Sequence, residues 1–457
     1  MLDKLDGLIG SVNSILWGVP MLVLLLGTHL FLTVRLRFPQ RYIFKAIRLS
    51  FKTDDGSAGD VSQFSALATS LAGTIGTGNI IGVATAITMG GPGAVFWCWV
   101  TGVFGIATKY SEGLLATKYR VRTKDGKMLG GPMYAIEKGM NCKWLAVFFA
   151  AMASITAFFI GNTVQCNAIS TVLEKTYGID TVWTGLAIAA LTLAVIVFGV
   201  KGIAKVCESL VPAMAVVYVL GCFILLGINH EFIFPAIALI VKSAFTSQAA
   251  AGGFVGSTLM LAMRYGMARG LFSNESGMGS APIVAAAAQT RNPVRQALVS
   301  STSTFWDTVI ICAITGIVLV SSIIANPGID SSAGAVLTEF AFRQIPYVGT
   351  PLLSIGIVTF AFSTILGWSY IGEKALEYLM GKKARMIYRI LWVMATFAGS
   401  VTAINLVWNL GDLTNALMAI PNIVCILALS GVIVRETRKY LWENRLDEMS
   451  DDTLEEV

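Results

Sequence analysis

The sequence predicts an all-α protein that crosses a membrane eleven times, as two inverted five-helix repeats behind one extra amino-terminal helix. Three observations carry this prediction: apolar composition from end to end, alternation of lysine and arginine between loops, and two glycine-rich interruptions at matching places in two blocks of helices. Of the 457 residues, 55% are hydrophobic and 13% charged, and mean hydropathy is +0.72; soluble domains carry about 25% charge. A helix of about 20 apolar residues spans the hydrocarbon core. The chain offers such stretches at 12–34, 63–90, 92–118, 143–171, 181–200, 206–228, 254–288, 294–325, 350–379, 385–408 and 411–434.

The joins carry turn residues: Gly90-Gly91-Pro92-Gly93, Gly130-Gly131-Pro132 and Asn326-Pro327-Gly328. The first stretch is too long for the apolar region of a signal peptide and lacks a small-residue cleavage site, so it counts as a helix. Loops on one side hold 25 of the 33 lysines and arginines. By the positive-inside bias that side is cytoplasmic, which places the amino terminus outside and the carboxyl terminus inside a bacterial-type inner (plasma) membrane. An even helix count, with a re-entrant segment near Ile233 to Phe245, is the alternative. The net charge of +6 thus belongs to membrane topology, and nucleic acid is not an expected partner; the lipid bilayer is. Residues 1–60 read as the peripheral helix and its cytoplasmic connector, 61–230 as the first repeat, 231–434 as the second and 435–457 as a cytoplasmic tail. That tail turns from basic to acidic (Asp447, Glu448, Asp451, Asp452, Glu455, Glu456) and reads as a fraying surface helix.

In the second span, Gly73, Thr74, Gly76, Thr77, Gly78 and Asn79 fall near mid-membrane. Each glycine weakens a helix by about 1 kcal/mol relative to alanine. Unwound backbone cannot face lipid, so it must be buried or line a wet cavity. The seventh span repeats the feature from Gly270 to Gly279. Glycines can also serve helix packing, but two equivalent interruptions in inverted repeats point to the central site of a secondary transporter. Half-helices expose N–H groups at one end and carbonyls at the other. The first suits a carboxylate, the second an ammonium or Na+, and an amino acid carries both charges.

These residues, with Gly90-Gly91-Pro92-Gly93, Lys109-Tyr110-Ser111-Glu112-Gly113 and Asn274-Glu275-Ser276-Gly277-Met278-Gly279, resemble the alanine or glycine:cation symporter family over nearly the whole chain. The resemblance implies a leucine-transporter-like fold with one extra amino-terminal helix, and sodium-coupled import of alanine or glycine by alternating access. It implies that the amides near Thr77 and Gly78, with Asn79, hold the substrate carboxylate. From the fourth span, which offers Gly161, Asn162, Gln165 and Asn167, Gln165 would contact substrate. Carbonyls around Gly270 to Ser273 would face the ammonium, and Phe272 and Met278 would close the pocket around a small side chain. Sodium, a hard cation that takes oxygen ligands, would sit between the carbonyls of Ala72 and Ile75 and the hydroxyls of Ser363 or Thr364. Such hydroxyls also commonly bond back to their own helix. The uncharged Gly73 and Thr74 favour one sodium over two.

Ionisable residues inside spans suggest function. Glu275 follows Arg264 and Arg269, and three roles compete: an ion pair or gate with an arginine, a cation ligand, or a proton carrier. Lys109 and Glu112, three apart, face the same way on a helix and would pair. Asp307 has no obvious partner in the sequence and receives no role. His29 and His230 lie near span ends, away from the motifs, which argues against a histidine proton relay. Trp368, one turn after the Ser-Thr pair, borders the pocket or simply packs.

An enzyme is not expected: there is no nucleophile elbow, no H-E-x-x-H and no catalytic constellation at one depth. The seven cysteines are scattered without a C-x-x-C. A single chain with one copy of each interruption lacks the repeated filter of a channel, and no phosphate-binding loop marks a nucleotide-driven pump. The main rival is a proton-coupled amino acid permease. The sequence leaves alanine against glycine or serine, and the oligomeric state, open.

Overall fold

The computed structural model describes residues 2–54, 56–246, 258–329, 334–402, 405–450 and 454–456. Its principal helices are α1 (Leu2–Leu16), α2 (Val19–Arg35), α3 (Gln63–Thr74), α4 (Val83–Gly90), α5 (Gly93–Lys118), α6 (Lys143–Tyr177), α7 (Thr181–Ile196), α8 (Gly199–Ile228), α9 (Leu259–Asn274), α10 (Ala281–Ala285), α11 (Pro293–Ala325), α12 (Gly349–Met380), α13 (Ala384–Val401) and α14 (Asn405–Ala428). Every predicted span is thus largely helical within the described residues; positions 254–257, at the start of the seventh, and 403–404, in the tenth, lie outside them.

The helices differ in how far they meet the expectation of eleven crossings. Among the described residues, five are long and apolar enough to cross a membrane alone, and up to seven if each of two bent pairs counts once. The others fall short for physical reasons. α5 carries Lys109, Glu112 and Lys118, and most of its surface is covered by protein; it packs along α9 and α11, so it need not be apolar throughout. The predicted first span divides into α1 and α2, bent by 41°, where Gly18 precedes Pro20 in the first turn of α2. The segment Ile233–Ser243 is an 11-residue helix. At about 1.5 Å per residue it reaches roughly half of a bilayer core. Phe234 is exposed while Ala236 and Ile240 are buried against α5 and α11.

The centre is built by close approaches. α12 packs against α3, α6 and α8, with Trp368 buried behind the first interruption. A Cβ on Gly161 would lie 2.3 Å from the Trp368 Cβ, so only glycine lets α6 and α12 meet there. Of the five π-turns among the described residues, three fall within predicted spans, at Gly78–Gly82, Ala157–Thr163 and Phe305–Cys312; such turns frequently mark functional sites.

The loops that the charge pattern assigns to one side do meet on one face. Val61 bridges Ala288, and Arg122 bridges Glu456. Asp54, fully buried, pairs with Arg295 at 2.8 Å, and Arg295 pairs with Asp447 at 2.7 Å. This corrects the expected fraying tail. After Ser430–Thr437 the chain remains helical to Trp442, then turns and docks: Asn292 donates to the Leu446 and Glu448 carbonyls, and Ser450 N–H to the Arg291 carbonyl. Backbone donors and acceptors on the loops supply partners that a solvated helix would lack. Asp451 and Asp452 lie outside the described residues.

Candidate substrate and cation site

α3 stops at Thr74 because Ile75 turns to extended backbone, φ −75° and ψ 96°. The Asn79 carboxamide bridges the break, its Oδ1 accepting the Gly76 N–H at 2.9 Å. Thr77 and Gly78 then open the second half, where the first turn of a helix has no intrahelical acceptors for its N–H groups. On the other side of the break, the Ala72 and Ile75 carbonyls lie 3.3 and 3.4 Å from the Ser363 hydroxyl, and the Thr364 hydroxyl lies 3.5 Å from Ile75 O. Both hydroxyls also donate to the Phe360 carbonyl, at 2.8 and 3.0 Å. The back-bonding and the inter-helix contact therefore coexist. Four neutral oxygens, all buried, make a donor set suited to a hard monovalent cation.

Gln165 faces the same break. Its Oε1 accepts from the Thr77 hydroxyl at 3.2 Å, and its Nε2 donates to Ile160 O at 3.1 Å, five residues back in the π-turn. Above Thr77 and Gly78 lies a cavity of about 160 Å³ bounded by Ile81, Thr85, Arg269, Phe272 and Trp408. The Phe272 ring lies 3.3 Å from where a Cβ on Gly78 would stand, so the two interrupted helices touch here.

The second interruption sits later than its glycines suggest. α9 stays helical to Asn274, and the chain breaks at Glu275, φ +53°, before α10 resumes at Ala281. Gly277 and Gly279, at φ +94° and +85°, adopt the left-handed backbone that glycine tolerates. The freed groups are paired from α5 and α14. Glu112 accepts the Gly277 and Gly279 N–H groups at 3.0 Å each and the Asn422 amide at 2.7 Å. The Lys109 ammonium donates to Glu275 O at 3.1 Å.

The sequence profile of the sodium:alanine symporter family matches residues 2–454. The chain belongs to that family. The symporter is 49% identical to the "Sodium/alanine symporter AgcS" of Methanococcus maripaludis, over 95% of this chain and 96% of that one. It is 38% identical to the "Probable sodium/glutamine symporter GlnT" of Bacillus subtilis, over 96% and 91%. Among solved structures it resembles MhsT in complex with L-phenylalanine, with TM-score 0.59 and 14% identity over 86% of this chain and 96% of that one, a likeness of fold. The symporter is a membrane transporter with sodium as its co-transported ion, and not an enzyme.

Several expected contacts differ in the symporter. Gly270 presses on α5, where its Cβ would lie 2.2 Å from the Thr101 hydroxyl, and does not line the cavity. Its carbonyl, and that of Leu271, which accepts the Glu275 N–H at 2.9 Å, remain within the helical ladder because the break begins beyond them. Met278 is fully buried in the turn held by Glu112 and does not border the cavity. Asn162 donates to Trp392 O and Asn167 to Thr402 O, so both face α13 and its end. Glu275 pairs with neither arginine: its carboxylate accepts from the Ser280 hydroxyl, while Arg264 and Arg269 lie beside the rings of Tyr265 and Phe272. Lys109 and Glu112 pair as expected, 3.8 Å apart. His29 bonds Thr108 at 2.7 Å and His230 the Gly227 carbonyl, so neither joins the site.

Asp307 is the residue that sequence reasoning missed. It is fully buried and joins the two interrupted helices. Its carboxylate accepts from the Asn79 amide at 2.6 Å, from the Ser273 hydroxyl at 3.0 Å and from Thr308 at 2.6 Å. The usable signal was a lone carboxylate in an apolar span; its partners are remote in sequence.

Proposed function

We propose that the symporter imports alanine or glycine with one sodium ion, through eleven transmembrane helices in two inverted five-helix repeats, residues 61–230 and 231–434, behind a peripheral segment, 1–60. The amino terminus lies outside and the tail, 435–457, inside an inner (plasma) membrane. Sodium binds between the Ala72 and Ile75 carbonyls and the Ser363 and Thr364 hydroxyls. The substrate carboxylate binds the Thr77 and Gly78 amides beside Asn79 and Gln165, and Phe272 limits side-chain size. The observation that carries this reading is the meeting of the first interruption with the Ser363–Thr364 pair, in the same break whose Thr77 and Gly78 border the cavity under Phe272 and Trp408. Neutral oxygens favour sodium over a proton, which needs a titratable group. The meeting of the positively charged loops on one face supports the orientation.

The test is uptake in proteoliposomes. Alanine and glycine accumulate when sodium is high outside, with saturation and counterflow. Equal uptake driven by a pH gradient with potassium in place of sodium would refute the coupling and favour the proton permease.

A further inference from the structure

Among the described residues, Arg269 forms no direct ion pair; Asp412, across the outer cavity, is its nearest charge partner and acts through space. Arg269 stands on α9 three residues before Phe272, so the two side chains share a face, and both border two adjoining cavities. One is the cavity of about 160 Å³ over Thr77 and Gly78. The other, of about 220 Å³, lies between α1, α9 and α14 and is bounded by Asn13, Trp17 and Asp412. Among the described residues no carboxylate oxygen lies within 4 Å of the Arg269 guanidinium; its recorded neighbour is the Phe272 ring, 6.0 Å away. Asp412 borders the same outer cavity and offsets part of the charge through space, but beyond ion-pair distance, so the N–H fork of Arg269 keeps no carboxylate acceptor among the described residues.

A cation held half-buried inside a membrane protein costs desolvation free energy unless something compensates it. Its planar fork of N–H donors matches a carboxylate in bidentate geometry. Arg269 and Phe272 border both cavities, so Arg269 stands where the outer cavity meets the one over Thr77 and Gly78. Five residues of helix, about 7.5 Å, separate it from the end of α9, so it sits one short step above the break.

We propose that Arg269 is a specificity-determining residue for entry: it receives the carboxylate of the arriving amino acid, passes it to the amides of the first interruption, and repels solutes whose side chain or only charge is positive. This rests on the reading of the cavity as the outer approach to an amino acid site. Positive potential in a cleft with low-dielectric walls raises the local concentration of anionic groups and disfavours cations. None of Ala72, Ile75, Ser363 and Thr364, whose oxygens would hold sodium, borders either cavity.

The experiment compares wild type with Arg269→Gln and Arg269→Lys, full length, in proteoliposomes. It measures the half-saturating alanine concentration, the half-activating sodium concentration, and inhibition by alaninamide and lysine relative to glycine. In Arg269→Gln the half-saturating alanine concentration rises about tenfold or more, the scale of one lost charge-assisted contact, and alaninamide and lysine gain as inhibitors relative to glycine. Sodium activation stays within about twofold. Arg269→Lys keeps the charge and retains most of the discrimination against the two cations, which separates loss of charge from misfolding. Inhibitor ranking unchanged in Arg269→Gln, or equally lost in both variants, would overturn the proposal while leaving sodium–alanine symport standing. Absence of sodium-driven alanine uptake in wild type would sink both.

Discussion

A matched pair of glycine substitutions in one helix tests the cation site. A Cβ on Gly76 would stand 2.6 Å from the Thr364 hydroxyl oxygen and 3.7 Å from Gln165 Oε1, whereas a Cβ on Gly73 meets nothing nearer than Ile371 at 3.7 Å. Gly76→Ala therefore forces Thr364 to move. That hydroxyl is held at 3.0 Å by the Phe360 carbonyl, and threonine in a helix has only two ready χ1 positions; leaving its place withdraws an oxygen from the cation. Overpacking of this kind costs about 1–3 kcal/mol, and at about 1.4 kcal/mol per factor of ten the half-activating sodium concentration rises roughly 5- to 150-fold. Gly73→Ala, inside α3, meets only ordinary contacts and gains about 0.5–1 kcal/mol of helix stability, so its sodium activation matches wild type. The assay is initial alanine uptake in proteoliposomes against external sodium, with size-exclusion profiles to check assembly. Sodium activation of Gly76→Ala within twofold of wild type would refute the placement of sodium beside Thr364.

Two further outcomes follow from the interrupted helices. Asp307→Ala removes the carboxylate that accepts from the Asn79 amide and the Ser273 hydroxyl and leaves them the weaker Asp307 backbone carbonyl and Cys312 Sγ, at about 1–3 kcal/mol in all; the melting temperature in detergent falls and alanine protects less against unfolding, while unchanged melting and protection would show that Asp307 does not tie the two helices. Gly277→Ala places a side chain at φ +94°, with Leu25 2.8 Å from the new Cβ, at a cost of about 1–2 kcal/mol for the left-handed backbone alone. A thermal melt identical to wild type would count against that cost.

Much of the candidate site was legible because its signal is local. Glycine and threonine between Gly73 and Asn79 weaken one helix in the chain itself, and the Ser363–Thr364 pair stands out in an apolar stretch. The second interruption was legible in kind but displaced in place. Glycine composition marks where a helix is weak, but the break goes where freed backbone groups find partners, and those partners, Glu112 and Asn422, come from α5 and α14. Glu275 invited pairing with Arg264 and Arg269 because they are near in sequence. The left-handed turn at Glu275 takes its side chain off the α9 surface and toward Ser280, while its carbonyl meets Lys109.

The sequence by itself determined the helical membrane class, the side on which positive loops gather and the two interruptions, because hydropathy, charge bias and helix propensity act over a few consecutive residues. Only the tertiary structure decided which oxygen faces which helix: the Ala72 and Ile75 carbonyls toward Ser363, Gln165 toward Thr77, Asp307 between Asn79 and Ser273, and Arg269 across the outer cavity from Asp412. Hydrogen bonds and ion pairs act over about 3 Å, and the groups that make them here are separated by tens to hundreds of residues along the chain, so their partners exist only once the helices have packed.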